Sequence, residues 1–358
     1  MDLLRNIVNI ALLNFFKENF AQELHIENEK IKVVEANNSA TVTISLKFNL
    51  GDYTDKLKTF IVDSIKKNNI AKMVQVDINT AVNSHKLENH VQGKPTIKNI
   101  IAISSAKGGV GKSTMTANLA LAMHNLGAKV GLIDADIHGP SQPMMLGVTP
   151  NDLKKRKDGL SPVNKHGIDT ASISYFMTKD DPIVWRGPMV SRALEQLIND
   201  LSWPELDYVF IDMPPGTGDI ALTLVKKLPL TAAVIVTTPQ DVACLDAKKS
   251  LQMYAKTNTP VLGIIENMSY HICENCGEQS NIFGEGGGND LANFGKVPFL
   301  GQVPLQRIIR EAADVGRPIF LDNEELKAIY EKISLRIAMQ LSLRPLDYMR
   351  NFPKVISE

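Results

Sequence analysis

With only three cysteines in 358 residues, the chain cannot be a disulfide-stapled scaffold, and the cytoplasm is its expected address. Net charge is lacking as well, because 39 Lys and Arg cancel 39 Asp and Glu. Without a bulk positive field to hold nucleic-acid phosphates or an anionic bilayer, neither nucleic acid nor a membrane is expected as a partner. Long apolar runs are missing too. A membrane span needs about 18 consecutive apolar residues, and stretches such as Ala232 to Val236 fall far short. The apolar N-terminus is interrupted by Asp2, Asn9 and Asn14, which speaks against a signal peptide and for an amphipathic first helix with Asp2 near its N-cap. No internal repeat or low-complexity tract is visible, and the basic run from Lys154 to Lys157 reads as a solvated loop.

What is present suffices for two packed cores. Hydrophobic residues make up 44% of the chain, and its length predicts two domains at roughly 150 residues each. Residues 1–81 read as a small α+β domain: a helix, strands Ile31 to Glu35 and Thr41 to Phe48, a helix Thr54 to Lys67, and a strand Met73 to Ile78. Residues 82–97 lose periodicity, contain Gly93 and Pro95, and read as a linker. From 98 to 358, continuous apolar runs alternate with helical stretches at Ile100 to Ser104, Val130 to Ile133, Tyr208 to Ile211, Ala233 to Thr237, Val261 to Ile265 and Phe299 to Val303. Such runs suit strands buried on both faces, so the expected fold is α/β, a mostly parallel sheet flanked by helices.

The segment from Ile100 to Thr114 puts a glycine-rich turn between a strand and a helix that runs to about Leu126, with Gly127 as its stop. This is a P-loop in its proper context. Backbone N–H groups of Gly108, Gly109, Val110 and Gly111 can surround an anion, and Lys112 can meet the β/γ-phosphates of ATP. The Ser113 hydroxyl can ligate Mg²⁺ beside Thr114. Ala106 stands where the strict pattern has glycine, outside the inward-facing glycines. Two carboxylate-bearing strand ends follow, at Asp134-Ala-Asp136 and at Asp212 before Met213-Pro-Pro-Gly-Thr-Gly-Asp219. Asp136 is assigned to the attacking water and Asp212 to the outer shell of the metal. For Asp134, a helix N-cap and a functional role both stay open. Gly216 and Gly218 leave the next loop free to respond to the γ-phosphate. Asn267 is a candidate reader of the adenine edge, with a turn-forming role as the alternative.

A Cys273-x-x-Cys276 pair lies in a loop expected to continue through Phe283 to Gly288. It opens no helix, which disfavours a dithiol oxidoreductase. Two thiolates fill half of a four-coordinate zinc or iron–sulfur site, with His271 as a third candidate ligand. Cys244, at a helix start, reads as a buried structural thiol.

The run Lys107-Gly-Gly-Val-Gly-Lys-Ser113 resembles the deviant Walker A loop of the MinD, ParA and nitrogenase-iron-protein class. That resemblance implies a homodimer in which Lys107 reaches the nucleotide of the partner subunit and acts as an arginine finger would. The same two-fold axis would bring a second cysteine pair. Taken with VGLIDADIHGPSQPMMLG, WRGPM (Trp185 to Met189), DYVFIDMPPGTGDIALTL, VIVTTPQDVACLDAKKS, PVLGIIENMS and CENCG, the chain resembles the Mrp/ApbC family of iron–sulfur cluster carrier ATPases. The resemblance implies an ATP-hydrolysing homodimer that holds a [4Fe–4S] cluster through Cys273 and Cys276 of both subunits. It also implies apo iron–sulfur proteins and a cluster-assembly scaffold as partners. The family's acidic D-P-E motif and a cysteine are both missing from residues 1–81, so this part is expected to be a docking or structural module. Two other classes compete: a ParA/MinD-type positioning ATPase, and a reductase in the style of the nitrogenase iron protein. A MinD-like chain would end in a basic amphipathic helix, whereas here the helix expected at Glu324 to Leu341 is followed by Pro345, Pro353 and an acidic terminus. A dedicated reductase takes its cluster cysteines from separate segments.

Overall fold

The computed structural model describes residues 2–22, 24, 30–36, 38–85, 93–137, 139–149, 152, 155–156, 159–176 and 187–346. The basic run at Lys154 and Lys157, the central linker residues 86–92, Trp185 and Arg186 of the WRGPM stretch, and the end of the chain with Pro353 lie outside them.

The chain begins with helix α1 (Asp2–Phe20), strands β1 (Ile31–Ala36) and β2 (Ser39–Leu46), helix α2 (Tyr53–Lys67) and strand β3 (Met73–Thr80). Asp2 is the first helical residue rather than a cap. Apolar side chains recur along one face of α1 at Leu4, Val8, Leu12, Phe15, Phe16 and Phe20, and all are buried. The three strands form one sheet in the order β1-β2-β3, with β2 alternating between buried and more open positions as a half-buried strand should.

Next come β4 (Ile97–Ser104), α3 (Lys112–Asn125), β5 (Val130–Asp134), α4 (Gln142–Met145), and the short strands β6 (Lys155–Arg156) and β7 (Gly159–Leu160). After them lie β8 (Val163–Lys165), β9 (Ile168–Ser172), α5 (Gly187–Asn199), β10 (Leu206–Asp212), α6 (Asp219–Lys227) and β11 (Ala232–Thr237). The chain continues with α7 (Asp241–Lys256), β12 (Val261–Asn267), β13 (His271–Ile272), β14 (Gln279–Ser280), α8 (Gly287–Gly295), β15 (Phe299–Val303), α9 (Arg307–Asp314) and α10 (Glu324–Ser342).

The main sheet has eight strands in the order β15-β12-β11-β4-β10-β5-β9-β8, all parallel except the edge pair β8/β9. The edge strand β8 and its neighbour β9 escape the apolar-run criterion because Asn164, Lys165 and Asp169 interrupt them. The central strand β11 is buried at every position, as a parallel strand covered on both faces must be. Among the described residues no helix is long and apolar enough to cross a membrane.

The described ends of the 82–97 segment are held rather than loose. Ile97 already belongs to β4, Ser84 Oγ donates to the Lys98 carbonyl, and Asn99 Nδ2 donates to that of Asn83. His85 is buried against Asn99 Oδ1, and burial lowers its pKa. The N-terminal elements also bond to the main body, through Gly51 N to the Leu126 carbonyl and Arg336 Nε to the Phe20 carbonyl.

Candidate functional site

In a parallel sheet ligands collect at the carboxyl ends of the strands, where the strand order reverses. Here β4 is that strand, because the chain leaves it toward β5 on one side and later adds β11, β12 and β15 on the other. The loop from Ser105 to Gly111 follows β4 and opens α3. Gly109 and Gly111 hold φ of +81° and +80°, a left-handed backbone that lets successive amides turn toward one point. A cleft of about 200 Å³ results, lined by the loop glycines, Lys107, Lys112, Ser113, Thr114 and Asp136. Val110 is buried beneath it, and Ser105 Oγ ties down the Lys107 carbonyl while the Lys107 side chain stays exposed.

Lys112, one of the residues lining the cleft, is itself only 6% exposed. Its ammonium makes a short contact to Asp212 Oδ1, lies 3.9 Å from Asp136 Oδ2, and reaches Ser113 Oγ at 3.4 Å. Asp212 is fully buried and also accepts from Thr116 Oγ1 at 3.2 Å and Gln142 Nε2 at 2.9 Å. Neither Gln142 nor Thr116 carries a signal of this role in the sequence. Their role arises only when residues 70 and 96 positions apart from Asp212 meet it.

Asp134 pairs in register with Asp212 on the neighbouring strand. Burial, and then repulsion from Asp212, raise the Asp134 pKa well above the usual carboxylate range. The backbone amides of Gln142 and Asp136, and the Lys112 charge, oppose that rise. Its oxygens accept from the N–H groups of Asp136 and Gln142, so it fixes the turn into α4 whatever else it does. The Met213–Gly218 loop is fastened to the P-loop through Gly216 N and the Ser105 carbonyl.

Asn267 is buried at the end of β12, and its amide donates to the Val110 carbonyl at 2.9 Å. In this arrangement the amide nitrogen faces the P-loop backbone.

Cys273 and Cys276 lie in a loop as expected, the turn of a short β13–β14 hairpin. The two strands are too short to carry an alternation. The expected loop ends early, because Gly287 and Gly288 already belong to α8. Gly277 N closes the turn on the Cys273 carbonyl, and Cys273 N bonds the Glu278 carbonyl. The amides of Cys276 and Asn275, and then the Cys276 thiol, point at the Cys273 sulfur and lower its pKa below the usual thiol value. Cys273 is partly open and Cys276 exposed. His271 Nδ1 is engaged with the Leu305 carbonyl. Among the described residues no group of three or more His, Cys, Asp and Glu comes together as metal ligands. Cys244 is buried, and its thiol donates to the Thr238 carbonyl.

Residues 96–341 match the ParA family described as the NUBPL iron-transfer P-loop NTPases. An iron-sulfur cluster carrier protein of Salmonella typhimurium is 43% identical over 344 residues, covering 95% of this chain and 93% of its own length. A protein of the same name from Escherichia coli K12 is 53% identical over 249 residues, 68% of this chain and 67% of its own. The solved structure of a nucleotide-binding protein from Archaeoglobus fulgidus, in complex with ADP, superposes with a TM-score of 0.56 at 37% identity. It covers 64% of this chain and 90% of that one. The Pyrococcus furiosus cell-division ATPase MinD, at a TM-score of 0.50 and 23% identity, shares the fold over 67% of this chain and 98% of its own.

Proposed function

Because the chain belongs to the family of NUBPL iron-transfer P-loop NTPases, we propose that it is an ATP-hydrolysing iron–sulfur cluster carrier. It takes a [4Fe–4S] cluster as cargo from an assembly scaffold and passes it to apo-proteins. The observation that carries this reading is the exposed Cys273–Cys276 turn on a chain that also presents a P-loop. A cubane bound by cysteine needs four thiolates, and this turn offers two. A homodimer with a two-fold axis through the cluster supplies the other two.

For hydrolysis, the loop amides from Gly108 to Gly111 hold the phosphates. Lys112 moves from Asp212 to the β/γ-phosphates, and Asp136 orients the attacking water. Mg²⁺, when bound, neutralises phosphate charge, with the Ser113 hydroxyl as its ligand and Asp212 beside its waters. Lys107, exposed at the rim, is free to serve the nucleotide of the partner subunit. Asn267 we assign to bracing the P-loop from below. Residues 1–81 form a docking or structural module, 82–96 the connection, and the ATPase begins with β4 at Ile97. Reduced thiols suit the cytoplasm. Among the described residues the last helix, α10, packs on α3 and β15.

Iron and sulfide analysis of protein purified without oxygen tests the reading. Four irons and four sulfides per two chains are expected, and none in Cys273→Ser. Stoichiometric zinc without sulfide, or four irons per single chain, refutes it.

A further inference from the structure

β12 ends on two adjacent residues, Glu266 and Asn267, that serve two different loops. Consecutive strand residues project to opposite faces, and here each face meets one loop. Asn267 holds the P-loop: its amide donates to Val110 O at 2.9 Å, and a Cβ built on Gly111 would lie 2.1 Å from the same nitrogen. Glu266 is fully buried, and its carboxylate accepts from Ser269 Oγ, from Gly288 N at 2.6 Å and from Gln302 Nε2 at 3.2 Å.

Ser269 and Gly288 bracket the segment that carries Cys273 and Cys276. One carboxylate therefore ties both ends of the cysteine-bearing loop to the sheet. Gly288 lies in the first turn of α8, where an acceptor suits the partial positive charge of the helix end. The approach is close enough to require glycine, since a Cβ on Gly288 would meet Glu266 Cβ at 2.8 Å and Oε2 at 2.9 Å. Two glycines at the starts of two helices are thus pressed against neighbouring residues of one strand.

We propose that Glu266 is a positioning residue that staples the cysteine loop, and that with Asn267 it couples this loop to nucleotide in the P-loop. The coupling rests on the nucleotide-site reading above and does not require a cluster. When phosphates order the loop amides, the Val110 carbonyl and Asn267 are fixed with them. The end of β12 then stiffens, and the staple transmits this to Ser269 and Gly288.

The test is the alkylation rate of Cys273 and Cys276 in the cluster-free full chain, with and without saturating Mg-ADP, alongside calorimetric ADP binding. Wild type is expected to react at least threefold more slowly with Mg-ADP. In Glu266→Ala the ratio should fall to about one, with ADP affinity within threefold of wild type. Glu266→Gln should restore the ratio, because its oxygen can accept from Gly288 N while its amide donates to Ser269 Oγ and, with the Gln302 amide turned over, to Gln302 Oε1. If Glu266→Ala does not fold, Ser269→Ala removes one end of the staple and should give an intermediate ratio. A wild-type ratio in Glu266→Ala or Ser269→Ala, no nucleotide effect in wild type, or failure of Glu266→Gln to rescue would overturn the coupling. Absence of ADP binding in wild type would instead overturn the P-loop reading on which it rests. Cluster content, measured separately, leaves these outcomes unchanged.

Discussion

Replacing Lys112 by Met removes an ammonium that lies within 4 Å of both Asp136 and Asp212 while preserving most of the side-chain volume. Lys112 and Asp212 are both deeply buried, at 6% and 0% side-chain exposure. Breaking such a pair costs about 3–5 kcal/mol, because the remaining charge is stranded. Asp212 keeps donors in Thr116 and Gln142, so the lower end, about 3 kcal/mol, is expected. For a domain of this size that lowers the melting temperature by about 6–12 °C.

The loss should also depend on pH. Lys112 is one of the groups that hold the Asp134 pKa down against burial and Asp212, so without it that pKa rises further. A carboxyl whose folded pKa lies above its unfolded value gives stability that is fully present below about pH 4 and lost as pH rises through the folded pKa. The deficit of Lys112→Met relative to wild type is therefore smaller at pH 5.5 than at pH 8. Thermal unfolding at both pH values measures it. Addition of ADP at 100 times its Kd should stabilise wild type by about 2.7 kcal/mol and the variant not at all. A variant as stable as wild type at pH 8, or a deficit that grows toward pH 5.5, would refute the reasoning.

Lys107→Ala and Asp136→Asn should bind ADP within about twofold of wild type yet lose at least about 100-fold in turnover, since a charge-stabilising finger contributes about 10³-fold or more. Phosphate release checks this, and normal turnover in Lys107→Ala excludes the trans-acting lysine. Arg336 donates to the Phe20 carbonyl at 2.8 Å and the Leu300 carbonyl at 2.7 Å. Arg336→Met should therefore destabilise the chain by roughly 1–3 kcal/mol per orphaned carbonyl, and urea unfolding with an unchanged midpoint would contradict that role.

Residues that act through their own backbone are the ones most easily read from a sequence. The P-loop is an example. Its glycines announce the left-handed turn at Gly109 and Gly111, and the apolar run before them announces the buried strand. The buried centre of the sheet is equally plain, because burial on both faces leaves runs such as β11 without a charged residue. What stays hidden depends on meetings across the chain. Gln142 looks like any loop amide until its Nε2 bridges Ser113 O and Asp212 Oδ2. Asn267 could face a base or a backbone on its sequence alone, and only the packing of β12 under the P-loop turns it to Val110. Glu266 carries no signal at all, since an isolated acid in an apolar strand gives no hint of the donors that satisfy it.

The arrangement at the cysteine turn bears on how a carrier can both keep and release its cargo. Four buried thiolates on one chain would hold a cluster tightly and leave no path for an acceptor thiol. In the proposed dimer each chain contributes two, with Cys276 exposed and Cys273 partly so, and an incoming ligand can attack from solvent. The backbone under them is fixed by the bonds of Cys273 N to Glu278 O and Gly277 N to Cys273 O, at 3.0 and 2.9 Å. The amides of Cys276 and Asn275 that face the Cys273 sulfur would partly compensate thiolate charge. Retention then depends on whether the two turns stay together, and release needs only their separation. In the proposed dimer, nucleotide that set the distance between the two turns would control cluster affinity without changing a single ligand.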